Sequence, residues 1–150
     1  MAYHQETRVL PYTPDQMFEL VADVESYPAF LPLWREARIR RLTDDPPFET
    51  YRTSQVIQLG PVHRRFTTET RMRRPTGIEI DSDDPFFKRF SIIWSFSPGS
   101  DDGCRVSFKL DCEAGPRLMR PVFDLVLNES AHGIMRAFEG RARSLYKPTG

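Results

Sequence analysis

Histidine and cysteine are scarce in this chain, three of the first and two of the second in 150 residues. His4, His63 and His132 lie far apart, and neither they nor the cysteines have metal-ligand spacing. No Gly-rich loop follows a strand pattern, which argues against a phosphate cradle. Charge of one sign is also missing. Lys+Arg 21 against Asp+Glu 21 gives a formal net charge of zero, so bulk charge points to no DNA partner. No apolar run approaches the ~18 residues of a membrane-spanning helix. The first residues, Met1 to Glu6, do not pair a basic segment with an apolar one, so a secretory signal is not expected and a cytoplasmic location is. The two cysteines, Cys104 and Cys112, fall on one alternating run. At ~3.3 Å per residue they stand roughly 26 Å apart, beyond the ~7 Å reach of a disulfide. Two buried thiols are expected.

What the sequence has is alternation. Phe90, Ile92, Trp94 and Phe96 alternate with Ser91, Ile93, Ser95 and Ser97. After Pro98–Gly103 the pattern restarts with Cys104, Val106, Phe108, Leu110 and Cys112. Strand side chains point to opposite faces with period two, so this is a hairpin with one apolar and one polar face. Val62 to Met72 alternates as well. Val62, Phe66, Thr68, Thr70 and Met72 lie on one side and His63, Arg65, Thr67, Glu69 and Arg71 on the other, with Arg64 interrupting the inner side. Gly77 to Asp83 places Ile78 and Ile80 inward. Tyr3 to Leu10, Arg35 to Thr43 and Phe48 to Leu59 complete about seven strands, with a turn at Gly60–Pro61. No connection is long enough for repeated parallel crossovers, so the sheet is antiparallel.

Two helical regions flank these strands. Thr13-Pro14-Asp15-Gln16 reads as a capping box with proline in the first turn, and Met17, Leu20, Val21 and Val24 follow on one face. Ser26-Tyr27-Pro28 opens a second short helix through Phe30, which Pro32 stops. The last element runs from Leu118 to Tyr146. Met119, Val122, Phe123, Val126, Ser130, Ile134, Phe138, Ala142 and Leu145 recur there at helical spacing. Pro121 either begins this helix or kinks its first turn. Gly133 and Gly140 lie inside it, marking close backbone approach or local tolerance. The expected class is α+β, one domain over residues 1–150: a curved antiparallel sheet around a long C-terminal helix.

Such a sheet closed over one helix leaves room between them. The aromatic residues either pack a core or wall a cavity suited to an apolar ligand. Asp81, Asp83 and Asp84 form an acidic cluster that reads as a solvated turn. Glu113 and Glu129 are general acids or bases only if buried. No catalytic residue and no metal ligand is assigned. Arg38, Arg40, Arg41, Arg64, Arg65, Arg71, Arg73 and Arg74 form a basic region able to meet phosphate or a solvated face interspersed with acids.

Three segments carry a family resemblance: Tyr12 to Pro32 (YTPDQMFELVADVESYPAFLP), Asp84 to Phe90 (DPFFKRF) followed by Trp94-Ser95-Phe96, and the helix after Gly115-Pro116. They resemble the START-like helix-grip fold and, within it, the coenzyme Q-binding family, which includes the ribosome association toxins. The chain departs from the family pattern at Leu33-Trp34-Arg35, where Trp-Cys is usual after Phe-Leu-Pro, and at Asp84, where glycine is usual. The resemblance implies a non-enzymatic carrier of a polyprenyl quinone (ubiquinone as ligand, no cofactor) that supports respiratory electron transfer. It also implies transient contact with the surface of the inner membrane. The implied cavity takes Phe66, Ile80, Phe90, Trp94, Phe96 and Phe108 from the sheet. From the helix it takes Met119, Val122, Phe123, Val126 and Ser130. Phe30, Leu31 and Trp34, with neighbouring Leu33, and Phe86–Phe87 either flank its mouth and touch the bilayer or plug the end of the core. The alternatives are a protein that binds the large ribosomal subunit and a cyclase-like enzyme of the same fold.

Overall fold

Alternating apolar residues build the sheet. A computed structural model describes residues 2–45, 48–59 and 61–149, with the backbone alone for 41–45, 59 and 62. Gly60 of the expected turn and the side chains of Arg41, Thr43, Leu59 and Val62 lie outside the described residues. The strands are β1 (Ala2–Leu10), β2 (Trp34–Asp45), β3 (Phe48–Leu59), β4 (Val62–Arg73), β5 (Gly77–Asp81), β6 (Phe87–Pro98) and β7 (Cys104–Ala114). They form one antiparallel sheet in the order β1-β7-β6-β5-β4-β3-β2. The first strand closes on the last, pairing Ala2 with Cys112 through to Leu10 with Cys104.

The β6–β7 hairpin matches its pattern. Trp94 pairs with Phe108 in register, and both are buried on one face with ring centroids 4.6 Å apart. Its turn is compressed against β1, where a Cβ on Gly103 would meet the Leu10 carbonyl at 2.5 Å, so only glycine fits. Cys104 and Cys112 are free, buried thiols on the inner face. Burial pushes the Cys112 thiol up to about 12.

The poor alternation of β1 has a physical cause. Its partly buried positions carry His4 and Arg8, which meet the C-terminal helix, and Glu6, which pairs with both of them. Arg8 pairs with Glu139 at 3.3 Å, and the His4 and His132 rings sit edge to face at 4.7 Å.

Helix α1 (Pro14–Ala22) starts where the capping box predicts. Thr13 Oγ1 accepts from the Gln16 amide at 3.1 Å, and Gln16 Oε1 accepts from the Thr13 amide at 3.0 Å. A 3₁₀ helix over Val24–Ala29 follows, slightly earlier than predicted. Tyr27 inside it is buried, and its hydroxyl donates to the Val21 carbonyl. Burial, with the nearby Tyr51 and Asp23, holds that phenol well above its ordinary pKa.

A 3₁₀ turn at Arg117–Met119 leads into α2 (Arg120–Leu145), so Pro121 sits in the first turn, where its missing N–H costs nothing. The helix is rotated relative to the predicted stripe. Its buried residues are Phe123, Leu127, Ala131, Ile134, Met135, Phe138 and Ala142. Val122, expected inward, is 45% exposed, and Leu145 is exposed too, while Met119 and Val126 pack only partly against the core. A Cβ added at Gly133 or Gly140 meets nothing within 4 Å. Local tolerance, not close approach, accounts for these glycines. Among the described residues no helix is long and apolar enough to cross a membrane.

Candidate functional site

Two aromatic clusters occupy the space between the sheet and α2. The first centres on Phe138, whose ring lies 5.0 Å from Trp94, 5.1 Å from Phe30 and 5.5 Å from Tyr27, all nearly edge to face. The second gathers Phe66, Phe86, Phe87, Phe90 and Phe123, with centroids 4.8–5.7 Å apart. Edge-to-face rings fill space efficiently and add to the energy of simple burial.

The second cluster closes one end of the sheet. Phe86 and Phe87 are buried, and the Arg64 guanidinium lies 4.4 Å from the Phe86 ring centroid. This settles the Phe86–Phe87 alternative as a plug, because the aspartate before them folds the segment inward. Asp84 carboxylate oxygens accept from the Thr67 and Phe86 amides at 3.2 and 3.0 Å. The expected acidic cluster is therefore partly a structural bracket. Among the described residues no group of three His, Cys, Asp or Glu could hold a metal ion.

The first cluster walls an inner cavity of about 30 Å³, lined by Tyr27, Leu31, Trp34, Ile80, Ile92, Trp94, Phe108, Ile134 and Phe138. That leaves room for about one or two water molecules. The roomy interior expected from the element order is, in this closed form, almost filled by the aromatics. Outside it lies an apolar cleft of about 210 Å³ between the Leu31–Trp34 segment and Glu129, Ser130, Gly133 and Ile134 of α2. Leu31, Trp34 and Ile134 line both spaces, so a three-residue septum separates the cleft from the cavity.

The structure thus sorts the sixteen candidate residues. Leu31, Trp34, Ile80, Trp94 and Phe108 wall the cavity, Ser130 lines the cleft, and Phe30 sits edge to face against Phe138. Phe96 packs instead under α1, 5.8 Å from Phe18. Phe66, Phe86, Phe87, Phe90 and Phe123 form the plug. Met119 and Val126 are peripheral, and Val122 faces out. Tyr27 was missed as a cavity residue, since nothing in its local pattern marks its ring as inward. Ile92, Ile134 and Phe138 carry the right periodicity and join the wall.

A polar ladder also crosses the inner face. Thr53, Gln55, Thr68 and Thr70 are each no more than 5% exposed. Trp34 Nε1 donates to Gln55 Oε1 at 2.6 Å, and Gln55 Nε2 donates to Thr68 Oγ1 at 2.9 Å. Further along β3, buried Glu49 is ion-paired with Arg74. The basic residues lie mostly on the outer face and are interleaved with acids. Arg65 pairs with Glu36, and Arg71 pairs with Glu69, Glu79 and Asp81.

Residues 10–139 match the family described as polyketide cyclase / dehydrase and lipid transport. The chain is 35% identical to the persistence and stress-resistance toxin PasT of Escherichia coli O6:H1, over 93% of this chain and 86% of that protein. It is 34% identical to the ribosome association toxin RatA of E. coli K12 over the same shares. Coenzyme Q-binding protein COQ10 homolog B, mitochondrial, of Xenopus laevis is 24% identical over 95% of this chain and 59% of that protein. Among solved structures, the 18 kDa protein CC1736 of Caulobacter crescentus aligns at TM-score 0.76 and 31% identity, covering 97% of this chain and 98% of that one. A START superfamily protein of Mycobacterium smegmatis aligns at TM-score 0.78 and 19% identity, covering 97% and 100%, a likeness of fold alone. With its sheet order, its gripping helix and its matched length, the chain belongs to the polyketide cyclase / dehydrase and lipid transport family and has the START-superfamily fold.

Proposed function

We propose that this protein binds a polyprenyl quinone such as ubiquinone and carries it in support of respiratory electron transfer, without catalysing a reaction on it. One observation carries the reading: an apolar cleft meets an aromatic-walled cavity through the shared septum of Leu31, Trp34 and Ile134. An isoprenoid tail gains about 25 cal/mol per Å² by leaving water for such a lining. The closed volumes are too small for the ligand, so loading requires the Leu31–Trp34 segment and α2 to separate. Movement of a loop against a helix is an ordinary route to a ligand-bound state.

Exchange takes place at the surface of the inner membrane, reached from the cytoplasm. Leu118 is 94% exposed, and Val122 and Leu125 continue the apolar stripe along α2 toward Glu129 and the cleft. Exposed apolar stripes of this kind mark interaction surfaces. They replace the buried Phe86–Phe87 as the bilayer contact, while Leu33 and Trp34 stay at the mouth. The test is to purify the protein from a quinone-containing host, extract it with organic solvent and assay the extract for isoprenoid quinone. A stoichiometric quinone is expected; an empty extract together with no uptake of added ubiquinone would sink the reading.

A second reading, association with the large ribosomal subunit, is favoured by the name of a more identical relative, the ribosome association toxin RatA. The outer face offers Arg65 and Arg71 to phosphate, but both already answer to acids. Co-sedimentation with large subunits separates the readings. If the subunit is the partner, Arg65→Glu and Arg71→Glu weaken binding, and added salt weakens it steeply.

A further inference from the structure

We infer that the polar ladder of β3 and β4 is a recognition site for a neutral, oxygen-bearing head group. This inference rests on the reading of an apolar-tailed ligand and says which head that ligand carries. Polar groups buried in an apolar core are destabilising unless they are hydrogen-bonded. Thr53, Gln55, Thr68 and Thr70 stand on the inner face of β3 and β4, Thr53 in register with Thr68, where valine or leucine would pack without that penalty.

Gln55 is satisfied on both sides, by Trp34 Nε1 and Thr68 Oγ1. Thr53, directly opposite Thr68, is fully buried, and its Oγ1 has no hydrogen-bond partner among the described residues. The ladder also has a defined place beside the cavity. Trp34, bonded to Gln55, bounds it on one side, and Ile80, in register with Thr70, bounds it on the other. Both residues wall the cavity. The ladder's own side chains line neither the cavity nor the cleft, so a head group reaches them past Trp34 and Ile80 when the Leu31–Trp34 segment moves.

The chemistry of the strip fixes the class of head. It offers hydroxyls and a carboxamide, which donate to and accept from carbonyl, methoxy and hydroxyl oxygens. It offers no unpaired charge: the buried carboxylate on the same strand, Glu49, is held by Arg74. A carboxylate or phosphate desolvated here would lack a counter-charge. The site thus selects a neutral head such as a quinone or quinol and rejects fatty acids and phospholipids.

Three probes test this on the whole protein: a short-tailed ubiquinone, squalene as an isoprenoid hydrocarbon without a head, and oleic acid. Wild type is expected to bind ubiquinone more tightly than either of the others. Thr53→Val keeps the shape and removes the hydroxyl. It should weaken ubiquinone binding about tenfold, the worth of one buried hydrogen bond, and leave squalene unchanged. Thr53→Ser should keep wild-type affinity for ubiquinone. Without ligand, Thr53→Val should melt no lower than wild type, because the hydroxyl it removes is unpartnered. Equal ubiquinone affinity in Thr53→Val, parallel loss of ubiquinone and squalene, or preference for oleic acid each overturns the inference. So does a Thr53→Val protein that fails to fold, since the hydroxyl would then be structural. If wild type binds none of the probes, the carrier reading itself fails. If it binds all three alike, only the head-group site fails.

Discussion

Phe138→Ala is the sharpest test of the site, because Phe138 is the ring on which the cavity wall and the packing of α2 converge. The residue is 1% exposed and touches three aromatic rings at 5.0–5.5 Å. Each such pair contributes about 0.5–1.5 kcal/mol beyond area burial. Burial of the side chain itself contributes about 1.5–3 kcal/mol. The two together reach roughly 7.5 kcal/mol at most. Neighbouring rings relax into the space, and contacts that share partners do not add, so the lower measured range of about 3–5 kcal/mol applies. We expect about 4 kcal/mol. For a chain of this size that lowers Tm by roughly 8–16 °C, at about 2–4 °C per kcal/mol.

The deleted ring borders the 30 Å³ cavity, so the void joins the space assigned to the ligand. Ubiquinone at a hundredfold excess over its Kd should then restore about 2.7 kcal/mol. Urea unfolding with and without ubiquinone measures both numbers. A loss below about 1 kcal/mol would show that α2 does not grip the sheet through Phe138. A full loss with no recovery would show that the ligand does not occupy this cavity.

Other substitutions separate access from packing. Gly133→Trp projects a side chain into the cleft from a helical position where a Cβ meets nothing within 4 Å, so it should block ubiquinone uptake with no loss of Tm; undiminished uptake places the opening elsewhere. Leu118→Ser with Leu125→Ser removes exposed apolar surface, and liposome flotation should fall several-fold while circular dichroism is unchanged. Flotation equal to wild type would remove this stripe as the membrane contact. Cys112 should resist thiol reagents at pH 8 in the native protein and react in urea, and rapid native labelling would show the inner face of β7 open to water. Because its folded pKa of about 12 lies above the ordinary 9.0, the stability this thiol confers is complete below pH 9. It declines toward pH 12 as the unfolded thiol ionises.

Much of the fold was legible because strand periodicity is a local signal. From Phe90 to Phe96 and again from Cys104 to Cys112 every second residue is apolar, and only one sheet face can bury them. The capping box at Thr13–Gln16 likewise fixes the start of α1 within four residues. The helix α2 was harder. Leu118, Val122 and Leu125 recur at helical spacing, and so do Phe123, Leu127 and Ala131. Both stripes satisfy the helical period, so periodicity cannot say which one faces the sheet. Phe86–Phe87 posed the same problem, since two adjacent phenylalanines suit a membrane-facing loop or a plug equally well.

Sequence alone therefore determined the element order, the inner faces of β4, β6 and β7, the thiol state of the cysteines and the likeness to the START-like fold. Those properties follow from spacing along one chain. Tertiary structure decided that the interior is nearly closed, that Phe86–Phe87 is buried, and that Phe138 meets Trp94 while Tyr27 meets Trp34 of the septum. It also placed Trp34, Gln55 and Thr68 in one hydrogen-bonded line beside unpartnered Thr53. These depend on distances between strands and helices far apart in sequence, set by the twist of the sheet and the rotation of α2 about its axis, which no local pattern encodes.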